Sequence, residues 1–409
     1  MTVGIFNTSA TFNPADYAKK SFSSLITRLM PNGQAPLYGI SSQLKEETAY
    51  QYEHGYFSKT MIFPSVTIGG GGQLIGDTTF TVVSTTDILI GMVLRVDTTG
   101  ENVLVLTVPS ATTMTVRRAF GTTAAAAIAG SVRLWMVGNA YEEASVRPQS
   151  LIITPVRVTN YTQIFRNTWA VSGTQAATAV IAGGTPDAES KMDCAMFHAI
   201  DIEKALIYGQ KFQGVATTGA VGQPLHTMDG VLNILAAAAA GNISTLLSTT
   251  TWTQLEAALD PVFQVVTDPK NPNMRALFVG GVARRVLHAI ARLNSTYYIQ
   301  GNRNDWGLQF DTFKTPRGEF NVIEHPLFNA YGANTTWSKM AIALDLSTFS
   351  LAYMQGRKTK NAEFNGQGSP AVDNGVDAEG GTLTTELTCL VKNPAANGQL
   401  LNFTAGAVG

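Results

Sequence analysis

The sequence predicts an α+β protein in which a small β-barrel or sandwich is inserted into a larger unit built around one long helix. Three observations carry this expectation. Residues 66–140 break into short alternating segments separated by Gly, Asp, Thr and Ser; residues 186–209 read as one capped amphipathic helix; and residues 225–345 mix helical and strand periodicities.

Taken in order, residues 1–60 interleave Pro14, Pro31 and Pro36 with short amphipathic stretches such as Phe22–Met30. That is the pattern of an extended arm with a brief helix. The glycine run Gly69–Gly72 then reads as a flexible entry to the inserted module, whose strands are expected at 80–83, 88–96, 103–108 and 114–118. Strands recurring every 8–12 residues or so suit a small barrel or sandwich. From Tyr141 to Val171 the chain looks extended again, with 151–158 and 161–169 as β segments. This return path and the segment before the insert are expected to pair as a long hairpin with the module near its far end.

The long helix has a well-marked start. Thr185 can cap it, Pro186 fits the first turn, and Asp187 and Glu189 complement the positive end, while Gly209 favours its termination. Met192, Met196, Ala199, Ile202, Ala205 and Leu206 recur at spacings of three and four and are expected to form the buried stripe. At about 1.5 Å per residue such a helix is roughly 33 Å long. Beyond it, 228–239, 253–266 and 281–293 read as helices, and 275–280, 318–325 and 340–346 as strands of one sheet. The tail, with strands at 349–354, 362–364 and 381–392, is expected to return and pack on the long helix. The expected parts are therefore an arm (1–60), an extended hairpin (61–175) carrying the insert (about 66–140), a helix-based domain (176–224), an α/β domain (225–345) and returning strands (346–409).

Composition narrows the function. Across 409 residues, 28 Lys and Arg nearly balance 29 Asp and Glu, so no basic face for sequence-reading nucleic-acid contact is visible. Charged residues are only 14% of the chain, against about 25% in average soluble proteins, which fits either surface covered by neighbouring subunits or a Thr- and Ala-rich β protein with a neutral polar surface. Two cysteines outside any CxxC or Cys/His cluster make a disulfide framework unexpected and fit a reducing compartment. The N-terminus lacks a basic segment followed by an apolar core, and no window approaches the length of a membrane span, so no membrane partner is expected.

Catalytic motifs are not found. Gly69–Gly72 lacks a following Gly-Lys-Ser/Thr, and Gly280-Gly281 lacks GxGxxG spacing and reads as tight packing. The five histidines form no HxH or HExxH pair, and there is no GxSxG elbow. Four histidines lie near a carboxylate in sequence (Glu53-His54, His198 with Asp201, His226 with Asp229, Glu324-His325), and all are read as surface turns or helix-face pairs. Asp201 and Glu203 are about 200° apart on a helix and cannot face one substrate, whereas Asp201 and Lys204 are neighbours, as an exposed ion pair or an interface contact. No enzyme activity, cofactor or metal is expected.

Four elements in order over 50 residues carry a resemblance. They are Asn160, Thr162, Gln163, Ile164 and Phe165; Val171, Ser172 and Thr174; Glu189; and Asp201, Ile202, Glu203, Ala205 and Gly209. The passage resembles the strand, turn and long-helix passage of tailed-bacteriophage major capsid proteins. The insert adds Gly91–Leu94, Glu101–Val105, Val116–Arg118 and Gly121–Ala124, and Ala144 stands where relatives often have Gly.

The resemblance implies the Hong Kong 97 phage capsid fold: N-terminal arm, E-loop, peripheral domain on a spine helix, and axial domain meeting its copies at five- and six-fold positions. It implies a self-assembling icosahedral head of hexamers and pentamers, made in the host bacterial cytoplasm and located in the virion. Portal, scaffold or cement proteins and packaged double-stranded DNA, held by confinement, are the implied partners. Arg157, Arg166, Asp201, Glu203 and Lys204 are the candidate assembly contacts. An encapsulin-like compartment shell and a β-rich tail or adhesin protein are the alternative readings.

Overall fold

The computed structural model describes residues 35–61, 63–178, 184–246, 251–265, 273–293, 300–305, 308–330, 332, 335–365 and 377–404. The helix expected at 22–30 lies outside them. The chain divides into two compact units, one comprising Phe57–Val158 and the other the described residues up to Tyr56 and from Thr159 onward.

Within the first unit, six strands run in the spatial order Ser65–Thr67, Arg133–Asn139, Met92–Val96, Asn102–Ser110, Thr113–Arg117, Thr79–Thr81. The two end strands then meet through an antiparallel bridge between Ile68 and Val82. Gly69 N donates to Thr81 O at 2.8 Å and Val83 N to Thr67 O at 2.9 Å. The sheet therefore closes on itself, and of the two expected forms the barrel is the one observed. Closure removes the unpaired edges that an open sheet would present.

Strand alternation fills the barrel. Val103 and Val105, Met114 and Val116, Phe80, Leu94 and Leu134 all point inward and are buried together with Ile68, Val96 and Ile128. Register shifts after Val93 and along Asn102–Ser110 mark bulges, which bend strands as a small barrel requires. The Gly69–Gly72 run is not the flexible entry expected. It is a tight turn at the barrel seam, where Gly72 has φ +68° and a Cβ would sit 2.7 Å from Ile128 O.

One polar pair is sealed into this unit. The carboxylate of Glu101, fully buried, accepts from Arg118 Nε at 2.8 Å and Nη2 at 2.7 Å, and from the backbone N–H of Ala119 at 2.9 Å and Ala126 at 3.3 Å. Arg118 also donates to Leu74 O and Ala126 O and lies over the Phe80 ring. The loop 118–126 is thus fastened to the barrel at both ends. The segment expected as a strand at 151–158 is irregular as far as Pro155, which has no N–H to give a ladder, and the strand runs Val156–Tyr161. It pairs with Glu53–Ser58, so the expected long hairpin is a short two-stranded pairing.

The other unit is built on two sheets. In the five-stranded sheet, Ala378–Val391 pairs antiparallel with Gln163–Ser172 on one side and with Phe349–Met354 and Lys360–Asn365 on the other, while Glu47–Ala49 lies parallel beyond Phe349–Met354. The long helix, Pro186–Tyr208, packs on Gln163–Ser172 and Ala378–Val391. Of the three strands expected to return, Ala378–Val391 is the one that lies along the long helix.

The seven-stranded sheet has the order Ile243–Thr245, Gly398–Leu401, Ala341–Leu344, Met274–Val279, Glu319–Glu324, Leu308–Lys314, Gln300–Asp305. Its central strand is apolar on both faces. Ala276 and Phe278 enter a core shared with Ile202, Leu206 and Ile207 of the long helix and Leu387 of the other sheet. Leu277 and Val279 enter a second core with Val282, Val286 and Ile290 of helix Gly281–Leu293. Gly280 links that strand to that helix, and a Cβ there would meet Ser338 O at 2.4 Å, so the tight packing read from Gly280-Gly281 is present.

Two expectations need correction. The boundary placed at 345 cuts through this sheet, because Gly398–Leu401 returns from the tail to pair with Ala341–Leu344. Four residues are too few to announce a strand in sequence. The buried face of the long helix is also rotated from the apolar stripe: Cys194, His198, Ile202, Glu203, Leu206 and Ile207 are buried, whereas Met192 is exposed. Polar His198 faces inward to partners on the strands opposite, Asn167 and Thr385, and Glu203 faces inward to the helix Pro36–Ser41 and to His325.

Candidate functional site

The passage from Asn160 to Gly209 is a joint pinned by side chains. Asn160 donates from Nδ2 to Cys389 O at 2.8 Å and Asp229 O at 3.0 Å, and its Oδ1 accepts from Asp229 N at 2.7 Å and Tyr161 N at 2.9 Å. That uses both donors and both lone pairs of the amide. Thr162 Oγ1 donates to Glu386 Oε1 at 2.8 Å, and Glu386 in turn holds Arg357. Gln163 Oε1 accepts from Met228 N at 3.1 Å. The residues of the Asn-x-Thr-Gln motif therefore tie the incoming strand to the long strand Ala378–Val391 and to the segment that follows the long helix.

The helix ends follow their sequence signals. Thr185 Oγ1 accepts from Ala188 N, Pro186 opens the helix, and Gly209 closes it by donating its N–H to Ala205 O. Ser172 caps a short helix, Gly173–Ala177, in the same way, through Gln175 N. Along the buried face, His198 lies between Asn167 Oδ1 and Thr385 Oγ1, each at 2.7 Å. Because the Asn167 oxygen only accepts, Nδ1 carries the proton and Nε2 accepts from the Thr385 hydroxyl. Burial pushes the His198 pKa below its ordinary value, outweighing the opposite pull of Asp201.

Glu203 was expected to be a surface contact and is instead wholly buried. Its Oε1 accepts from Leu37 N at 2.9 Å and from His325 Nε2 at 2.6 Å, and its Oε2 accepts from Tyr38 N at 2.7 Å. The carboxylate thus caps the short helix Pro36–Ser41 from another part of the chain. The other four candidates are at the surface: Arg157, Arg166 and Asp201 are exposed and Lys204 is half-buried. Asp201 does not pair with Lys204 among the described residues; its Oδ2 accepts from Asn167 Nδ2 at 2.9 Å.

None of the histidines pairs with the carboxylate near it in sequence. His54 meets Glu47, and Glu47 also holds Lys392. His226 stacks on Tyr52, with ring centroids 4.5 Å apart. Glu324 pairs with Arg284 while His325 turns inward to Glu203. Among the described residues no three His, Cys, Asp or Glu groups converge as metal ligands. Both cysteines are buried free thiols, and burial pushes Cys389 up to about 12.

What the surface offers is contact area. Phe197 on the long helix is 62% exposed, and Met192, five residues earlier on it, and Ile164 on the strand Gln163–Ser172 are also open. After the helix, Phe212–Val215 and Pro224–Thr227 form an antiparallel two-stranded hairpin without a single buried side chain. Hydrogen-bonded side chains pin the interior, and apolar side chains stand open on the surface.

A family model described as SU10 major capsid protein matches residues 4–404. A curated major capsid protein of Pseudomonas phage PaMx41 is 37% identical over 404 residues, covering 96% of this chain and 93% of its own. Among solved structures, a chain of Mycobacterium phage Bobi is 10% identical with a TM-score of 0.48, covering 98% of this chain and 100% of its own. A chain from the capsid of a native GTA particle is 9% identical with a TM-score of 0.46, with the same coverage.

Proposed function

Because the chain belongs to the SU10 major capsid protein family, and so is a major capsid protein of a phage, we propose that its copies close into an icosahedral head around packaged double-stranded DNA. The observation that carries this reading is the family match running from residue 4 to residue 404. The same match favours a phage head over an encapsulin-like compartment or a tail or adhesin protein.

In this reading the parts take the roles implied by the resemblance. Residues 1–60 act as the arm, and 61–175 as the E-loop with its barrel. Residues 176–224 form the peripheral domain on its spine helix, with the strands after 346 packed beneath it. Residues 225–345, joined by Gly398–Leu401, form the axial domain around five- and six-fold axes. Hexamers and pentamers arise because exposed apolar elements such as the spine-helix face gain burial only on neighbours, and many modest contacts sum around a closed shell. Arg157, Arg166, Asp201 and Lys204 supply polar contacts at those boundaries. A near-neutral chain holds DNA by confinement rather than by reading its sequence.

Shell building needs no active site, cofactor or metal. The protein resides in the virion after assembly in the host cytoplasm, with portal and scaffold or cement proteins as partners. Electron microscopy of the expressed protein tests the reading. Closed icosahedral particles are expected, and a strictly monomeric protein at high concentration, with no shells on the grid, would overturn it.

A further inference from the structure

We propose that the cavity between the helix Trp252–Leu259 and the turn at residues 315–318 binds a small aliphatic amine, held as its ammonium ion by the carboxylate of Glu256.

The walls of the cavity are fixed from both sides. Leu255, Leu259 and Phe263 anchor the helix, and the tight turn Asp260–Phe263 after it, in the core behind. Opposite, Thr315 N donates to Gly318 O at 2.8 Å and Gly318 N returns a bond to Thr315 O at 3.2 Å. Gly318 lies so close to the first wall that a Cβ there would sit 2.4 Å from the Phe263 ring. The space enclosed is about 330 Å³, at the small end of ligand pockets, which span ~300–1,000 Å³.

The charges around this space do not cancel. Glu256 and Asp260 stand four residues apart, a like-charge spacing that costs stability on a helix. Arg317 answers one of them, since its Nε donates to Asp260 Oδ1 at 2.6 Å. Lys314 is held by Glu319 at 2.7 Å. Glu256 is left without a cation among the described residues, and its Oε1, shut off from solvent, accepts no hydrogen bond. Buried polar atoms nearly always have a partner, so this oxygen marks where a donor belongs.

The lining selects the donor. A hard divalent cation seeks about six to eight oxygen ligands, which one free carboxylate beside a guanidinium does not supply. A primary ammonium brings three N–H donors on a compact head, and its alkyl stem suits the carbon surfaces of Ala257, Phe263 and Pro316. Ala257, Pro316 and Arg317 are exposed, so the cavity can be entered from solvent.

Calorimetric titration of the full-length protein with n-butylamine at about pH 7 tests the assignment. One butylammonium per chain is expected to bind, and to raise the melting temperature by tying the helix to the turn. Glu256→Gln is expected to fold at least as stably, because it relieves the like-charge spacing, and to bind at least tenfold more weakly. Glu143→Gln, which removes an exposed carboxylate elsewhere, is expected to bind as the unaltered chain does. No binding by the unaltered chain, or undiminished binding by Glu256→Gln, would overturn the proposal. So would equal weakening by Glu143→Gln, or equal binding of tetramethylammonium, which has no N–H to donate.

Discussion

Glu203 Oε1 and His325 Nε2 meet at 2.6 Å in the interior, both side chains fully buried, and the same carboxylate holds the N–H groups of Leu37 and Tyr38. Three stretches of chain that are remote in sequence are thereby fixed at one point: the start of the described N-terminal segment, the spine helix, and the end of the strand Glu319–Glu324.

Replacing that carboxylate is expected to be costly. Glu203→Ala leaves two backbone N–H groups and a buried imidazole N–H without an acceptor, and breaking such a buried pair typically costs about 3–5 kcal/mol. Urea unfolding should show a loss of that order; a loss below about 1 kcal/mol would mean that these groups find other partners.

The barrel carries its own acid sensitivity. Burial alone raises the Glu101 carboxyl, but the Arg118 guanidinium and the N–H groups of Ala119 and Ala126 outweigh it and hold the pKa below its ordinary value. A depressed carboxyl contributes stability that is complete above the unfolded-state value near about 4.5 and is lost as pH falls through the folded value. Melting temperature should therefore drop on acidification below about pH 4.5, and Glu101→Gln should flatten that drop while lowering stability at neutral pH.

His198 works in the same direction at a higher pH. Its pKa is lowered, so its contribution is complete above about pH 6.5, the unfolded-state value, and declines as pH falls through the folded value. Protonation would turn Nε2 into a second donor facing the Thr385 hydroxyl, which must then reverse its own hydrogen bond toward Thr359. Melting temperatures measured from about pH 7 down to pH 5 should fall in the unaltered chain and vary less in His198→Gln.

Ala144 has φ +61°, in the left-handed region, within a turn closed by Ser145 N donating to Glu142 O. A non-glycine residue there costs about 1–2 kcal/mol. Ala144→Gly is expected to recover part of that, with about 0.5–1 kcal/mol gained in unfolding free energy after the greater entropy of the unfolded glycine chain is subtracted.

How much of this was legible in sequence depends on the range of the interaction. The caps at Thr185 and Gly209, the alternation of Val103 and Val105 with their polar neighbours, and the doubly buried run Ala276–Val279 all follow from local periodicity and end chemistry, and they were readable. Glu203 was misread because its partners lie 122 and 166 residues away. On a helical wheel a carboxylate belongs outside, and only the tertiary arrangement of three N–H donors reverses that. His198 was misplaced for the same reason. The Asn160 and Thr162 motif was recognised through its resemblance, yet its physical work, satisfying groups on Asp229, Cys389 and Glu386, needs the folded chain. The hairpin at 212–227 gave no periodic signal, because neither of its faces is buried.

The closed barrel has a consequence for how such a chain can change over time. Its seam is sealed by its own strands, and the chain leaves and re-enters the larger unit through neighbouring paired strands, Glu53–Ser58 and Val156–Tyr161. That junction works as a socket: any domain whose two ends emerge side by side could be exchanged for the barrel, and a tight turn could replace it altogether, without re-pairing a single strand of the five- or seven-stranded sheet.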